Sequence, residues 1–277
     1  MTDYIFLNGT LVMARTGRIG VTDRSYLLGD GLFETILVKD GKPVYLQEHL
    51  RRLLTSCTYL QYQPPTKDVL CEAVQEVIAA NSLTTGSLRL TVSPGESQGL
   101  LPKEGSALNI LVTFRRGEPY AAELYERGFR AIIAQSTRRN EYSPLSHHKT
   151  TNFLDSILAR KEAQAAGCDE AILVNTSGHV AEGSVSNLFI VQNGQVLTPR
   201  VEDGALAGIM RHKVLELCQT LSIPAGEESL TAQQLEQAEE AFLTNSLLGV
   251  MPLAQIQSTV FKDRTITDQL AKSFIVN

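Results

Sequence analysis

The sequence predicts a mixed α/β (α+β) fold in two domains. Apolar residues recur at every second position in some segments, which is typical of strands, and at every third or fourth in others, which is typical of helices. Asn-Gly and Asp-Gly pairs between apolar runs indicate hairpin turns. A charged segment with glycine and proline, RRGEPYA at 115–121, follows the apolar run NILVTF and indicates a link between domains.

The predicted strands are joined by tight turns. Such turns are expected at Asn8-Gly9 in IFLNGTLV, Asp40-Gly41 in ILVKDGKPV and Asn193-Gly194 in LFIVQNGQVL. Asparagine, aspartate and glycine accept the positive φ that a two-residue hairpin turn requires. The strands on either side are therefore expected to be largely antiparallel neighbours.

Helices are predicted where apolar residues recur at steps of three and four. One runs from Leu46 to Leu60 and a second from Val69 to Ile78. A third begins near Phe153, with Leu154, Ile157 and Leu158 on its apolar face and Gly167 as its C-terminal cap. Cutting the chain at the link gives a smaller N-terminal α/β domain, residues 1–117, and a larger strand-rich domain, residues 118–277.

Composition narrows the possible partners. The net charge is -5, and the hydrophobic content of 43% can fill a core. The charge argues against a nucleic-acid binder, which needs clustered Lys and Arg, so a small-molecule substrate is expected. The four cysteines include no CxxC pair and no metal-ligand spacing with histidine. The absence of such spacing predicts a protein without a metal. The N-terminal residues lack signal-peptide features and no apolar stretch could span a bilayer, so we expect a soluble, cytoplasmic protein.

Lys149 is the first candidate catalytic residue. It lies in SPLSHHKTTNF, where a loop ends and the third predicted helix begins. Downstream lie a carboxylate in HVAEGSVSNLFIV, a glycine before a helix in GALAGIMRHKVLELC, and an uncharged polar turn in FLTNSLLGVMP. A lysine that binds a phosphorylated pyridine aldehyde covalently needs partners of these kinds.

Five motifs follow one another along the chain: HLRRL, HHKTTNF, EGSVSNLF, GIMR and TNSLLGVMP. In this order they resemble the class IV aminotransferase family, the fold-type IV pyridoxal-phosphate enzymes. The resemblance runs through nearly the whole chain, from FLNGTLV and GDGLFET to Pro252. It implies a two-domain fold similar to D-amino-acid aminotransferase and pyridoxal 5'-phosphate (PLP) as the cofactor.

The resemblance also implies roles for charged residues. Lys149 resembles the family lysine that holds the cofactor and moves the proton at the substrate α-carbon. Glu182 matches the carboxylate that pairs with the pyridine nitrogen, where an anion keeps that nitrogen protonated. Arg52 resembles the arginine that binds the cofactor phosphate, because a planar guanidinium can bind two oxygens. Arg51 is then expected to be solvated.

Uncharged groups complete the phosphate site implied by the resemblance. At GIMR, Gly208 lets the chain turn, and the amides of Ile209 and Met210 open a helix. Free amides at a helix start favour an anion. Ser246 stands where relatives often have threonine and could donate its hydroxyl to the phosphate. Since Arg52 is assigned to the first domain and Lys149 to the second, the cofactor is expected in the cleft between them.

The subgroup motifs indicate a reaction. The Arg-x-His pair of D-amino-acid aminotransferases is missing from LRLTVSPGESQGLLP, and Phe33 stands where those enzymes have tyrosine. GIMR and NSLL replace the GITR and Gly-Thr-Ala turns of branched-chain aminotransferases. The pattern most resembles aminodeoxychorismate lyase, which implies that the enzyme forms p-aminobenzoate and pyruvate without a keto acid. An aminotransferase of branched-chain or D-amino-acid type is the alternative.

Two other classes of protein fit the sequence less well. Ser146 and Lys149 form an SxxK pattern as in penicillin-recognising serine enzymes, but the companion Lys-Thr-Gly is absent downstream. A non-catalytic relative would have lost Lys149 or Glu182, and both are present. The family resemblance implies a homodimer.

Overall fold

The computed structural model describes residues 2–102, 105 and 107–276. The chain forms two compact units, and the first comprises Met1–Pro119 together with His148–Asn152. The second comprises Tyr120–His147 and Phe153–Asn277. The division after residue 117 assigned Lys149 to the second domain, whereas its segment clusters with the first unit. The physical reason is backbone pairing: the amide of Phe33 donates to the carbonyl of Lys149 at 3.0 Å.

The first unit is a sheet covered by helices. Its elements are β1 (Tyr4–Leu7), β2 (Thr10–Met13), α1 (Arg24–Leu28), β3 (Leu32–Lys39), β4 (Lys42–Pro43), α2 (Leu46–Tyr59), α3 (Lys67–Ala80), β5 (Gly86–Ser93) and β6 (Asn109–Arg116). The strands lie in the order β2-β1-β6-β5-β3-β4, and all of their pairings are antiparallel among the residues described.

Alternation along β3 separates the core of the first unit from the other face of the sheet. Ile36 and Val38 are buried against α2 and α3 in a cluster that includes Leu50 and Val74. Residues two apart in a strand share a face, so Phe33 and its alternate neighbours point away from these helices. The two helices predicted around residues 46–60 and 69–78 are confirmed as α2 and α3.

The predicted hairpin turns are confirmed. Asn8, Asp40 and Asn193 have φ values of 49°, 51° and 51°, and the glycine after each also has a positive φ. These turns join β1 to β2, β3 to β4 and, in the second unit, the strands 187–192 and 195–199. The left-handed backbone at both turn positions matches the twist of antiparallel strands.

The second unit is built on a longer sheet. Its elements are α4 (Ala122–Arg127), β7 (Phe129–Ile133), α5 (Leu154–Ala165), β8 (Glu170–Val174), β9 (His179–Gly183), β10 (Asn187–Gln192), β11 (Gln195–Pro199), α6 (Ile209–Thr220), β12 (Ala225–Glu228), β13 (Leu230–Thr231), α7 (Ala232–Glu236), β14 (Glu240–Asn245), β15 (Gly249–Ile256), β16 (Thr259–Val260) and α8 (Thr265–Val276). The strand order is β12-β11-β10-β14-β15-β7-β8-β9-β13, with β16 paired to β15.

This sheet is mixed. β7 lies parallel to both β8 and β15, and β12 lies parallel to β11, while the other pairings described are antiparallel. The turn dipeptides predicted the hairpins, but no short motif indicates that two strands distant along the chain lie parallel. α6 and α8 pack on β10 and β14, around Phe189 and Phe242, whose stacked rings lie 4.8 Å apart.

The third predicted helix is α5, and Gly167 follows it with a φ of 66°. Its apolar residues do not face the core of the second unit. The buried side of α5 carries Ser156, Ala159 and Ala163, while Leu154 is 73% exposed. Small residues let this helix lie close to β8.

The helices described in this structure are each too short or too polar to cross a membrane. The free cysteine thiols are those of Cys57, Cys71, Cys168 and Cys218.

Candidate active site

Arg52 projects from α2 onto Glu34 of β3. Its Nε donates to Glu34 Oε1 at 2.7 Å and its Nη2 to Glu34 Oε2 at 2.6 Å. Two parallel bonds of this kind fix the plane of a guanidinium as well as its position. Arg52, which the HLRRL motif predicts as a site residue, is therefore held by Glu34, which lies outside that motif.

Glu34 is buried between two partners. Besides Arg52, the imidazole of His49 lies with Nδ1 2.7 Å from Glu34 Oε2. Burial alone would raise the pKa of Glu34, but the charge of Arg52 and the hydrogen bonds from His49 and Arg52 lower it to about 2. The carboxylate is thus ionised at neutral pH, and it orients Arg52.

The segment of Lys149 is attached to the first unit by backbone hydrogen bonds. The amide of Phe33 donates to the carbonyl of Lys149 at 3.0 Å, and the amide of Thr151 donates to the carbonyl of Gly31 at 2.9 Å. Thr150 forms an antiparallel bridge with Leu32. The lysine backbone is therefore ordered like a short strand at the start of β3.

Gly29 makes this attachment possible. It caps α1 with a φ of 69°, and a Cβ at this position would lie 2.5 Å from Asn152 Oδ1. The Asn152 side-chain amide donates to the Gly29 carbonyl at 2.9 Å, and the Thr151 hydroxyl donates to the same carbonyl at 2.7 Å. A side chain larger than hydrogen at position 29 would displace Asn152.

The side chain of Lys149 shares an aromatic ring with a second cation. Lys149 Nζ lies 4.6 Å from the centroid of the Phe33 ring, and the guanidinium carbon of Arg89 lies 3.6 Å from it. Desolvation, and then the charge of Arg115, lower the pKa of Arg89. Among the residues described, the guanidinium of Arg89 makes no ion pair and donates no hydrogen bond, so it can receive an anion.

Glu182 lies near the end of β9 in the second unit and is buried. Arg139 Nη2 is 2.9 Å from Glu182 Oε1, and the amide of Leu206 donates to Oε2 at 2.9 Å. The same arginine donates to the carbonyls of Gly204 and Ser146 at 3.1 and 3.0 Å. Arg139 is thereby fixed, and it forms an ion pair with Glu182.

The start of α6 is shaped by Asn187. The Asn187 side-chain amide donates to the carbonyl of Leu206 at 2.9 Å, and a Cβ on Gly208 would lie 1.8 Å from Asn187 Oδ1. Glycine is therefore required at the N-cap. No side chain caps the helix, so the first amides, which include those of Ile209 and Met210, are not satisfied by a capping side chain.

Polar groups on the neighbouring strand complete this part of the second unit. Thr244, which pairs with Asn187 across β14 and β10, has a buried hydroxyl without a hydrogen-bond partner among the residues described. Ser246 follows in the turn after β14. Asn245 holds that turn, because its Oδ1 accepts from the amides of Leu247 and Leu248 at 2.9 and 2.8 Å.

The predicted site residues thus fall into two groups. Arg52 and Lys149 belong to the first unit, and the remaining ones, Glu182, Ile209, Met210 and Ser246, belong to the second. The sequence motifs did not predict Glu34, which contacts Arg52; Arg139, which contacts Glu182; or Thr244, which lies two residues before Ser246. The glutamate in GDGLFET was the one available signal for Glu34, because a carboxylate inside an apolar strand needs a buried partner. No cluster of possible metal ligands occurs among the described residues.

Comparison with known proteins identifies the family: the chain belongs to the amino-transferase class IV family, which matches residues 31–256. A Methanocaldococcus jannaschii protein named provisionally as a branched-chain-amino-acid aminotransferase is 36% identical, over 98% of this chain and 94% of that protein. The predicted fold class and the PLP-dependent enzyme class are confirmed.

Solved structures cover the whole fold. The branched-chain amino acid aminotransferase of Escherichia coli matches with a TM-score of 0.95 at 27% identity, over 100% of this chain and 94% of that one. The 4-amino-4-deoxychorismate lyase of Pseudomonas aeruginosa matches with a TM-score of 0.90 at 28% identity, over 99% and 98%. The chain is therefore similar along its length to enzymes of both reaction types.

Proposed function

We propose that this enzyme is a PLP-dependent 4-amino-4-deoxychorismate lyase that releases p-aminobenzoate and pyruvate. The observation that carries the proposal is the arrangement around Phe33: the Lys149 amine and the Arg89 guanidinium both contact this ring, which has no hydroxyl. An amine to move a proton, a cation for a carboxylate and an apolar surface for a ring suit a cyclic, carboxylated substrate.

The residues present fit the cofactor. For its phosphate, the proposal assigns Arg52, the first amides of α6 and the hydroxyls of Ser246 and Thr244. The buried Thr244 hydroxyl, which has no partner among the described residues, and the uncapped start of α6 support this, because both offer hydrogen-bond donors that an anion can accept from. For the pyridine nitrogen the proposal assigns Glu182.

Each residue then has a defined task. When bound, PLP supplies an electron sink that stabilises negative charge at the substrate carbon. Lys149 would hold the cofactor, and its amine would take the proton from the ring carbon beside the substrate amine. Glu182, held in place by Arg139 and the Leu206 amide, would pair with the pyridine nitrogen and favour its protonated form.

The elimination balances without a co-substrate. Lys149 Nζ would take one proton, and the bond between the neighbouring ring carbon and the enolpyruvyl oxygen would break. The group leaves with the bonding electrons as the enolate of pyruvate, which takes a proton at its methylene carbon to become pyruvate. The six-membered ring becomes aromatic, which makes the step favourable. A second carbonyl substrate is therefore unnecessary, whereas an aminotransferase consumes one in every cycle.

The deciding experiment supplies 4-amino-4-deoxychorismate to the cofactor-loaded enzyme without any keto acid. Equal amounts of p-aminobenzoate and pyruvate over many turnovers are expected. The Lys149→Ala variant is the control, and it should form neither product. A wild-type enzyme that binds PLP at Lys149 but forms no p-aminobenzoate would contradict the lyase proposal.

The second candidate is a branched-chain aminotransferase. It is favoured by the 36% identity to the Methanocaldococcus jannaschii protein and by the match to the Escherichia coli enzyme. This candidate predicts that valine, leucine or isoleucine supports turnover only when a keto acid is added. Strict dependence on keto acid would establish it and remove the lyase as the main activity.

A homodimer is part of the proposal. It is supported by the exposed apolar side chains of Leu154, Ile157 and Leu158 on α5. A cluster of large apolar residues on one helix face usually marks a surface that another protein covers. A second copy of the chain is the proposed occupant, since the family resemblance implies a dimer.

A further inference from the structure

His148, immediately before Lys149, is held by the side chains of α2. Its Nδ1 lies 2.9 Å from the Ser56 hydroxyl oxygen, and its ring centroid lies 4.4 Å from that of Tyr59 with 32° between the planes. Ser56 is buried, which is unusual for a serine on a helix and is explained by this contact. The imidazole is thus fixed in position and in rotation.

The same helix carries the proposed phosphate arginine. Arg52, Ser56 and Tyr59 are spaced by four and three residues along α2, which places them along one side of the helix. Glu34 of β3 holds Arg52, and Ser56 with Tyr59 hold His148. One helix therefore carries Arg52 and also holds His148, the residue next to Lys149.

The peptide of Lys149 is anchored from both sides. On its N-terminal side the His148 ring is attached to α2, and the Lys149 carbonyl accepts from the Phe33 amide of β3. With both ends of this short stretch fixed, the side chain of Lys149 starts from one defined point. Its Nζ reaches the ring of the same Phe33.

We infer that His148 is a positioning residue for Lys149: through Ser56 and Tyr59 it sets where the lysine amine lies relative to Arg52. The inference rests on the proposed role of Lys149 in binding PLP. It assigns no proton transfer to His148. The groups facing its ring from α2 are the Ser56 hydroxyl and the Tyr59 ring, and the adjacent charged group along the chain is Lys149.

Three substitutions test this inference. His148→Phe keeps a ring for Tyr59 and removes Nδ1, His148→Asn restores a polar atom near Nδ1, and Ser56→Ala removes the hydroxyl. Thr55→Ala is the matched control, because Thr55 is the exposed neighbour of Ser56 on α2. Thermal unfolding and cofactor content of each variant separate misfolding from misplacement.

The readouts are kcat, KM and the visible absorption band of the PLP linked to Lys149, titrated with pH. His148→Phe and Ser56→Ala should each lower kcat about ten-fold, as expected for losing one positioning hydrogen bond, with KM within about two-fold. Both should move the pH midpoint of the visible band in the same direction. His148→Asn should recover part of the loss, and Thr55→Ala should match the wild type.

Combining His148→Phe with Ser56→Ala should lower kcat no further than either change alone, since both remove the same bond. Additive losses, or variants with wild-type kcat and an unmoved pH midpoint, would overturn the positioning role while leaving the PLP link to Lys149 intact. Failure of borohydride to trap PLP on the wild-type Lys149 would overturn the proposed function, and the inference with it.

Discussion

Glu34 holds Arg52 with two hydrogen bonds, from Nε at 2.7 Å and from Nη2 at 2.6 Å. The carboxylate is buried in a strand and the guanidinium is on a helix, so the pair connects β3 to α2. Removing one charged partner of a buried ion pair leaves the other charge uncompensated. The pair therefore affects both the stability of the first unit and the orientation of Arg52.

The first prediction concerns acid stability. The pKa of Glu34 is lowered from 4.5 to about 2 in the fold, so the pair stabilises the protein above about pH 4.5 and this contribution is lost as the pH falls towards 2. The lost free energy of unfolding should be on the order of 3 kcal/mol. The measurement is urea unfolding of the wild type and of Glu34→Gln at several pH values between about 2 and 4.5, and the difference between their free energies of unfolding should shrink as the pH falls. The exposed Glu72→Gln on α3 is the control, and a difference independent of pH would contradict the prediction.

The second prediction concerns phosphate binding at neutral pH. Glu34→Gln should weaken PLP binding about ten-fold, because Arg52 loses the anion that fixes its plane. Arg52→Gln should weaken it by about 100-fold, while Arg51→Gln, on the exposed neighbour, should leave it unchanged. The dissociation constant is measured by titrating the cofactor-free protein with PLP. Equal affinity in all of these variants would remove Arg52 from the phosphate site.

The third prediction concerns Glu182. Glu182→Gln keeps the side-chain shape and an acceptor for the Leu206 amide but removes the charge that Arg139 balances. Turnover should fall at least about 100-fold at saturating PLP, because a neutral partner no longer favours a protonated pyridine nitrogen. Rapid mixing or steady-state assays measure it, with Glu123→Gln as an exposed control. Near-normal kcat in Glu182→Gln would rule out the role.

The fourth prediction concerns substrate recognition by Arg89. Arg89→Gln removes the cation beside Phe33 and should raise KM for a carboxylated substrate by about ten-fold to 100-fold, with a smaller effect on kcat. Arg89→Lys should recover part of the affinity. The affinity for PLP should stay unchanged, since Arg89 is assigned to the substrate. A KM unchanged in Arg89→Gln would exclude the assignment.

The fifth prediction concerns α5. Leu154→Glu with Ile157→Glu should convert a dimer to a monomer, because charged groups cannot be buried in an apolar interface without partners. Light scattering coupled to size exclusion measures the mass. The exposed Gln164→Glu on the same helix is the control. A wild-type protein that is monomeric at micromolar concentration would refute the proposed dimer.

Much of the fold could be predicted locally. The hairpin turns carry Asn-Gly or Asp-Gly, and the period of apolar residues in α2 and α3 indicates which side is buried. α5 shows where this reasoning fails. Its apolar residues are exposed and its small ones are buried, because periodicity reveals that a face is apolar but not what covers it.

The proposed site shows the same division. Motifs predict Arg52, Lys149 and Glu182, because each motif is a short run of neighbours along the chain. No motif predicts Glu34 or Arg139, since their partners lie 18 and 43 positions away. The assignment of Lys149 to the second domain was changed by backbone pairing with β3, which no local pattern encodes.

The amino-acid sequence was sufficient for the family, the cofactor class and most of the elements, because turn residues, helical periodicity and contiguous motifs are properties of short segments. Long-range contacts determined how Arg52 is oriented, where the Lys149 segment is anchored and which side of α5 is exposed. These features depend on strand register and helix packing between distant segments. Such contacts contribute free energy only once the chain has folded.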